Sequence, residues 1–128
     1  MACLTACSAF EPAPPEEVVA ERAMRQATFL MAGDYEQALA FTVPSYQDSA
    51  RAQLYGGKHA GASAWERVEV RWVRCGEDPE PNRCEVRLWI FGQFFSSGRF
   101  SSATGNSVPS SWDKTWVKLD GQWYQYLD

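Results

Sequence analysis

Residues 15–64 and residues 65–127 follow different hydrophobic periods, and that switch limits the possible folds more than any other feature of the chain. From Pro15 onward, Val19, Ala23, Ala27 and Leu30 recur at helical spacing, and Ala20, Met24 and Met31 widen the apolar stripe. Glu16, Glu17 and Glu21 lie near the positive end of that helix's dipole, and Pro15 suits its first turn. Gly33 ends the helix at a left-handed position. Asp34 then opens a second helix, with Gln37 three residues on as in a capping box. Ala38, Leu39 and Phe41 form its buried side, and Pro44 stops it. Ser45-Tyr46-Gln47-Asp48 reads as the cap of a third helix that runs to about Leu54 and is closed by Gly56-Gly57.

After Trp65 the period falls to two. Val68, Val70 and Trp72 alternate with Arg67, Glu69 and Arg71, the pattern of a strand with one buried face. Val86, Leu88 and Ile90 alternate with Glu85, Arg87 and Trp89 in a second strand, where Gly92 marks a bulge or bend. Residues 96–111 hold seven serines and no period, as in a loop or irregular hairpin. Strands over about 112–119 and 122–127 meet at Asp120-Gly121, a strong hairpin signal. A two-residue loop sets Lys118 opposite Trp123, whereas a bulged three-residue loop puts Val117 and Trp123 on one face. Burial of the tryptophan favours the second. The expected fold class is α+β, with N-terminal helices packed on a curved antiparallel sheet of about four strands.

At 128 residues, the chain has the size of one domain. Its 45% apolar content, with 6 Trp, 5 Tyr and 7 Phe, supplies a core and excludes a disordered chain. A net charge of −4 argues against binding a nucleic-acid backbone. With 1 His and 4 Cys at no zinc-ligand spacing, neither a metal nor a cofactor is expected. No glycine arrangement forms a phosphate loop, and no Gly-x-Ser-x-Gly elbow is present.

The tetrad Leu4-Thr5-Ala6-Cys7 resembles the lipobox of bacterial lipoproteins. The proline-rich stretch behind it has the composition of a stiff, soluble tether. The resemblance implies that Cys7 carries the lipid anchor and that Cys3 leaves with the signal. It further implies a domain on the periplasmic side of a bacterial envelope, and Ser8 after the cysteine implies the outer membrane. Residues preceding Cys7 are too few for a signal, which needs roughly 7–15 apolar residues, so the expectation includes an upstream start or a trimmed sequence. The division expected is 1–14 for residual signal and tether, and 15–128 for the domain. Cys75 and Cys84 then remain, bracketing a breaker-rich turn between strands whose patterns can pair. A disulfide is expected there.

The order of helices and strands, the Gly33-Asp34-Tyr35-Glu36-Gln37-Ala38 step and the closing Asp120-Gly121-Gln122-Trp123 hairpin resemble the nuclear transport factor 2-like, or cystatin-like, superfamily. That resemblance implies a cone whose helices fill the concave side of the sheet, and it spans residues 15–128. Ketosteroid isomerase and scytalone dehydratase share the fold, so Tyr35, Tyr46, Asp48, His59 and Asp113 are the conceivable players in such chemistry. None sits in a motif that matches those enzymes, and no catalytic residue is assigned. Asp34 and Asp48 read as cap residues, Asp113 as an edge charge, and His59 as a solvated loop residue among glycines.

Trp89, Phe91, Phe95, Phe100 and Trp112 exceed what one buried sheet face requires, and they form the candidate binding surface. A second copy of the chain, an envelope protein or an apolar small ligand would use it. The function expected is a non-catalytic envelope lipoprotein domain that binds an apolar small ligand or another envelope protein. The alternative is a small cone-cavity isomerase or dehydratase.

Overall fold

The stripe that begins at Pro15 becomes α1 (Pro15–Met31), whose residues Val19, Ala23, Ala27 and Leu30 are buried. The computed structural model describes residues 13–77, 82–92 and 109–127, so Cys7, Phe95 and Phe100 lie outside the described residues. Gly33 takes the left-handed conformation expected of it, with φ of 76°. Asp34 caps α2 (Tyr35–Leu39): its carboxylate accepts from the Gln37 backbone N–H at 3.2 Å and from the Gln37 side chain at 3.1 Å.

The chain then departs from the expected single third helix. Pro44 occupies the first turn of α3 (Pro44–Gln47), starting an element as well as ending one. Ser49 is extended and separates α3 from a 3₁₀ turn at Ala50–Leu54. Gly56 and Gly57 do not close a helix. They lie inside α4 (Tyr55–Lys58), where a β-carbon on Gly56 would stand 3.3 Å from the Tyr35 ring. A second 3₁₀ turn, Ala60–Ala64, leads into the sheet.

Four strands pair antiparallel in the order β1-β2-β3-β4: β1 (Trp65–Cys75), β2 (Arg83–Gly92), β3 (Ser110–Leu119) and β4 (Gln122–Gln125). The inner face carries Val68 and Val70 of β1, then Cys84, Val86, Leu88 and Ile90 of β2, with Trp116 and Trp123 beyond; α1 packs across it. A register shift between Val70 and Trp72 corrects the simple alternation expected of β1. Trp72 pairs with Arg87 and Val73 with Val86, so the extra residue turns Trp72 outward and brings Val73 to the core. Gly92 ends β2 opposite Trp65, and the neighbouring irregularity falls on β1, between Trp65 and Arg67.

The closing hairpin has the two-residue register, with Lys118 opposite Trp123 and Leu119 opposite Gln122. This overturns the preference for a bulged loop. Asp120 and Gly121 both have positive φ, 50° and 81°, as a type I′ turn requires. Trp123 is buried all the same, because this register places it on the face of Trp116. At the same end of the sheet, toward its opposite edge, Cys75 and Cys84 are direct partners and form a disulfide. Closing a loop of this length contributes roughly 2–3 kcal/mol on the chain-entropy estimate.

Inside the core sits one polar knot. Gln26 of α1 donates from Nε2 to Gln125 Oε1 at 2.6 Å and to the Tyr55 hydroxyl at 3.1 Å. Replacing Gln26 by Leu strips Gln125 of its partner, and the expected loss is about 1–3 kcal/mol. In the double variant with Gln125→Leu neither amide is left stranded, so the losses should fall well short of additive in urea denaturation. Additive losses would show that the two amides act independently.

Candidate functional site

The short helical turns between Pro44 and Ala64 cross the end of the sheet where β1 begins, and a cleft of about 620 Å³ opens between them and β3. Tyr46, Ala62, Ala64, Trp65, Trp112 and Leu127 give it apolar walls; Lys58, His59 and Lys114 supply its polar atoms, with Gly61 between. No carboxylate side chain lines it among the described residues.

Its aromatic rings are in continuous contact. Ring centroids lie 6.4 Å apart for Tyr46 and Tyr55, 4.2 Å for Tyr55 and His59, 5.9 Å for His59 and Trp112, and 5.3 Å for Trp112 and Trp65. Three of the four pairs are edge-to-face, which suits the ring quadrupoles. His59 is thus not the solvated loop residue expected. The glycines before it do not interrupt the helical turns, and those turns carry the ring onto Trp112, half-buried. Its Nδ1 lies 2.8 Å from the Tyr55 carbonyl oxygen, which accepts and so assigns the proton to Nδ1. Burial holds the imidazole below the ordinary histidine range; the Tyr55 carbonyl opposes this, and Lys114 and Lys58 add to it. His59 is therefore neutral at pH 7, with the Nε2 lone pair free to accept.

Lys114 stands on the inner face opposite Val86, between Trp112 and Trp116. Its ammonium is 5.0 Å from the centroid of the Trp112 ring, within cation–π range. Burial lowers its pKa, and Asp113 partly offsets that. Sequence reasoning passed over this lysine, although the spacing Trp112-x-Lys114-x-Trp116 puts it on the tryptophan face of a strand. Trp65, read only as the point where the period changes, is the other residue missed.

The expected aromatic surface divides between two faces. Trp112 lines the cleft, whereas Trp89 and Phe91 lie on the outer face, covered by arginines from β1. Arg67 sits 4.0 Å from the Phe91 centroid, Arg71 4.7 Å from that of Trp89, and Arg74 4.1 Å from that of Trp72. Asp113, weighed as chemistry, holds Arg87 in a two-pronged ion pair at 2.7 and 2.8 Å on that outer face. Tyr35 packs at Gly56 and Asp48 ends α3, so neither lines the cleft. Tyr46 does, but its hydroxyl donates to the Arg51 carbonyl at 3.2 Å. Among the described residues no three His, Cys, Asp or Glu converge as a metal site, and no helix is long and apolar enough to cross a membrane.

No protein-family model and no curated protein sequence matches the chain. Solved structures do. A protein from Campylobacter jejuni named as a nuclear transport factor 2-like transpeptidase superposes with a TM-score of 0.54 at 13% identity, over 83% of this chain and 94% of that one. A protein from Novosphingobium aromaticivorans named as a scytalone dehydratase gives 0.52 at 15% identity, over 85% and 77%. A SEC-C motif protein from Psychrobacter arcticus gives 0.60 at 12% identity; 94% of this chain covers 64% of that longer one. The chain has the nuclear transport factor 2-like fold. At such low identity, these likenesses carry the α+β cone and no activity.

The depressed His59 pKa has a consequence for stability. The unfolded chain takes up a proton near the ordinary value of about 6.5 while the folded chain does not, so stability falls as pH drops below that value. In His59→Asn, whose amide retains a donor for the Tyr55 carbonyl, the fall between about pH 7.5 and 5.5 should be shallower than in the parent. An unchanged slope in urea titrations across that range would show that His59 titrates normally.

Proposed function

We propose that this is a non-catalytic domain that binds a small, largely apolar ligand in the cleft between α4 and β3. The observation that carries the reading is the cleft itself: about 620 Å³, walled by Trp65, Trp112 and Tyr46, with a neutral histidine and, among the described residues, no carboxylate at its lining. That volume is within the range of small-molecule sites. Isomerase chemistry of the ketosteroid kind needs a carboxylate base facing the apolar cavity, and dehydratase chemistry a histidine paired with an acid. The imidazole here meets a tyrosine ring and a backbone carbonyl instead. A second copy or an envelope protein docking on Trp89 and Phe91 is less favoured, because arginine guanidinia cover those rings. N-phenyl-1-naphthylamine, a neutral apolar fluorophore, should bind saturably, and Trp112→Ala should weaken it at least about tenfold, or ~1.4 kcal/mol. Absence of saturable binding both by this probe and by its anionic analogue 8-anilinonaphthalene-1-sulfonate, or binding indifferent to Trp112→Ala, would sink the reading.

The same proposal places the domain on the periplasmic side of the bacterial envelope, tethered through Cys7 to the outer membrane. The lipobox-like tetrad supports this, as does the Cys75–Cys84 disulfide, a bond that persists in oxidising compartments. Expressed behind a complete lipoprotein signal, the protein should incorporate labelled palmitate, and Cys7→Ser should abolish the label. Label that survives the substitution would remove Cys7 as the anchor.

A further inference from the structure

The cleft is more sharply specified than an apolar pocket. We infer that its ligand is an organic anion, a carboxylate or sulfonate on a flat aromatic body, with the charge received by Lys114 and the body held against Trp65 and Trp112. This rests on the binding reading above and narrows it to a ligand class.

Three observations converge. First, Lys114 is half-buried on the inner sheet face, where the β2 residue opposite is Val86, and it makes no ion pair among the described residues. An ammonium taken partly out of water and left without a counter-charge is a costly arrangement. The cation–π contact with Trp112 offsets only part of that cost. Secondly, the acid adjacent in sequence is already engaged. Asp113 points to the other face and closes both of its oxygens on Arg87. Thirdly, the other titratable nitrogen groups at the lining are Lys58 and His59, with no carboxylate among the described residues, so the described lining collects potential of one sign in a chain whose net charge is −4. Residues 93–108, which connect β2 to β3, contain no Asp or Glu. A neutral apolar guest would leave the Lys114 charge uncompensated, and a cationic guest would be repelled. An anion with an aromatic body satisfies both the charge and the rings.

The test compares two fluorophores of nearly the same shape: 8-anilinonaphthalene-1-sulfonate, which is anionic, and neutral N-phenyl-1-naphthylamine. The full chain should bind the sulfonate about tenfold more tightly than the neutral probe. Lys114→Met, which keeps the length of the side chain, should remove most of that preference and leave the neutral probe within about twofold. Lys118→Met, on the same strand beyond the cleft, should change neither affinity, whereas Ala64→Trp at the cleft lining should weaken both. Asp128 follows the lining residue Leu127 and lies outside the described residues, so Asp128→Asn is included, and the sulfonate preference should persist in it.

Equal affinity for the two probes in the parent chain would overturn the anion inference and leave the ligand-binding reading standing. So would a preference that survives Lys114→Met or appears only in Asp128→Asn. If neither probe binds saturably, the underlying reading fails and the inference falls with it. Circular dichroism of Lys114→Met guards against misfolding, and should Met fail to fold, Lys114→Gln serves the same comparison.

Discussion

The buried amide pair Gln26–Gln125 joins the first helix to the last strand across 99 positions, and much of the architecture is referred to it. Both side chains are almost wholly excluded from solvent, so their hydrogen bond forms at low dielectric, where a satisfied pair is strong and a broken one costly. Neighbouring contacts lock the same junction. The Arg22 guanidinium donates to the Trp123 carbonyl at 2.7 Å, and the strap after α2 pairs in parallel with β4, exchanging Val43 N–H to Gln125 O at 3.0 Å and Gln125 N–H to Phe41 O at 2.7 Å. Gln26 also reaches Tyr55, whose ring stacks on His59. One amide thereby sets the positions of α1, α4 and β4, and through α4 the wall of the cleft. The arrangement is not fully satisfied, since Gln125 Nε2 has no partner among the described residues.

The sheet is apolar on both sides for different reasons. Its inner face is closed by α1 in the ordinary way, through Val19, Ala23 and Ala27. Its outer face carries Trp72, Trp89 and Phe91, and β1 places an arginine over each ring. The Val70–Trp72 irregularity makes this possible, because two successive residues then serve the outer face, with Arg71 over Trp89 and Trp72 under Arg74. The guanidinium groups themselves lie over the rings in cation–π contact, so rings that read as an open docking patch in one dimension are partly roofed in three.

The order of elements was legible because hydrophobic period survives folding wherever one face is buried. The positions of α1, α2 and all four strands follow from it, as does the pairing of Cys75 with Cys84. What period cannot reveal is a single inserted residue. From Trp72 onward the irregularity in β1 reversed the facing of every residue, and nothing in Val70-Arg71-Trp72-Val73 marks it. The hairpin was misjudged by weighing burial of Trp123 over turn chemistry; Asp120-Gly121 prescribes the two-residue loop on its own. Residues 44–64 were hardest, because turns of four or five residues show no period and Gly56-Gly57 resembles a terminator. The cleft is built from that region, which is why the fold was more readable than the site.

The electrostatics at His59 bear on both function readings. A histidine acts as a general base when its conjugate acid is stabilised, usually by a carboxylate that also fixes the tautomer. Here the tautomer is fixed by the Tyr55 carbonyl, a neutral acceptor, and the lysines at 58 and 114 oppose protonation. Proton abstraction at Nε2 would place a third positive charge in a partly desolvated cleft that holds no anion of its own among the described residues. The surroundings that weaken His59 as a base are those that favour an anionic guest. A guest carrying one negative charge relieves the repulsion that a proton would increase, and leaves the neutral Nε2 free to accept from a donor on that guest.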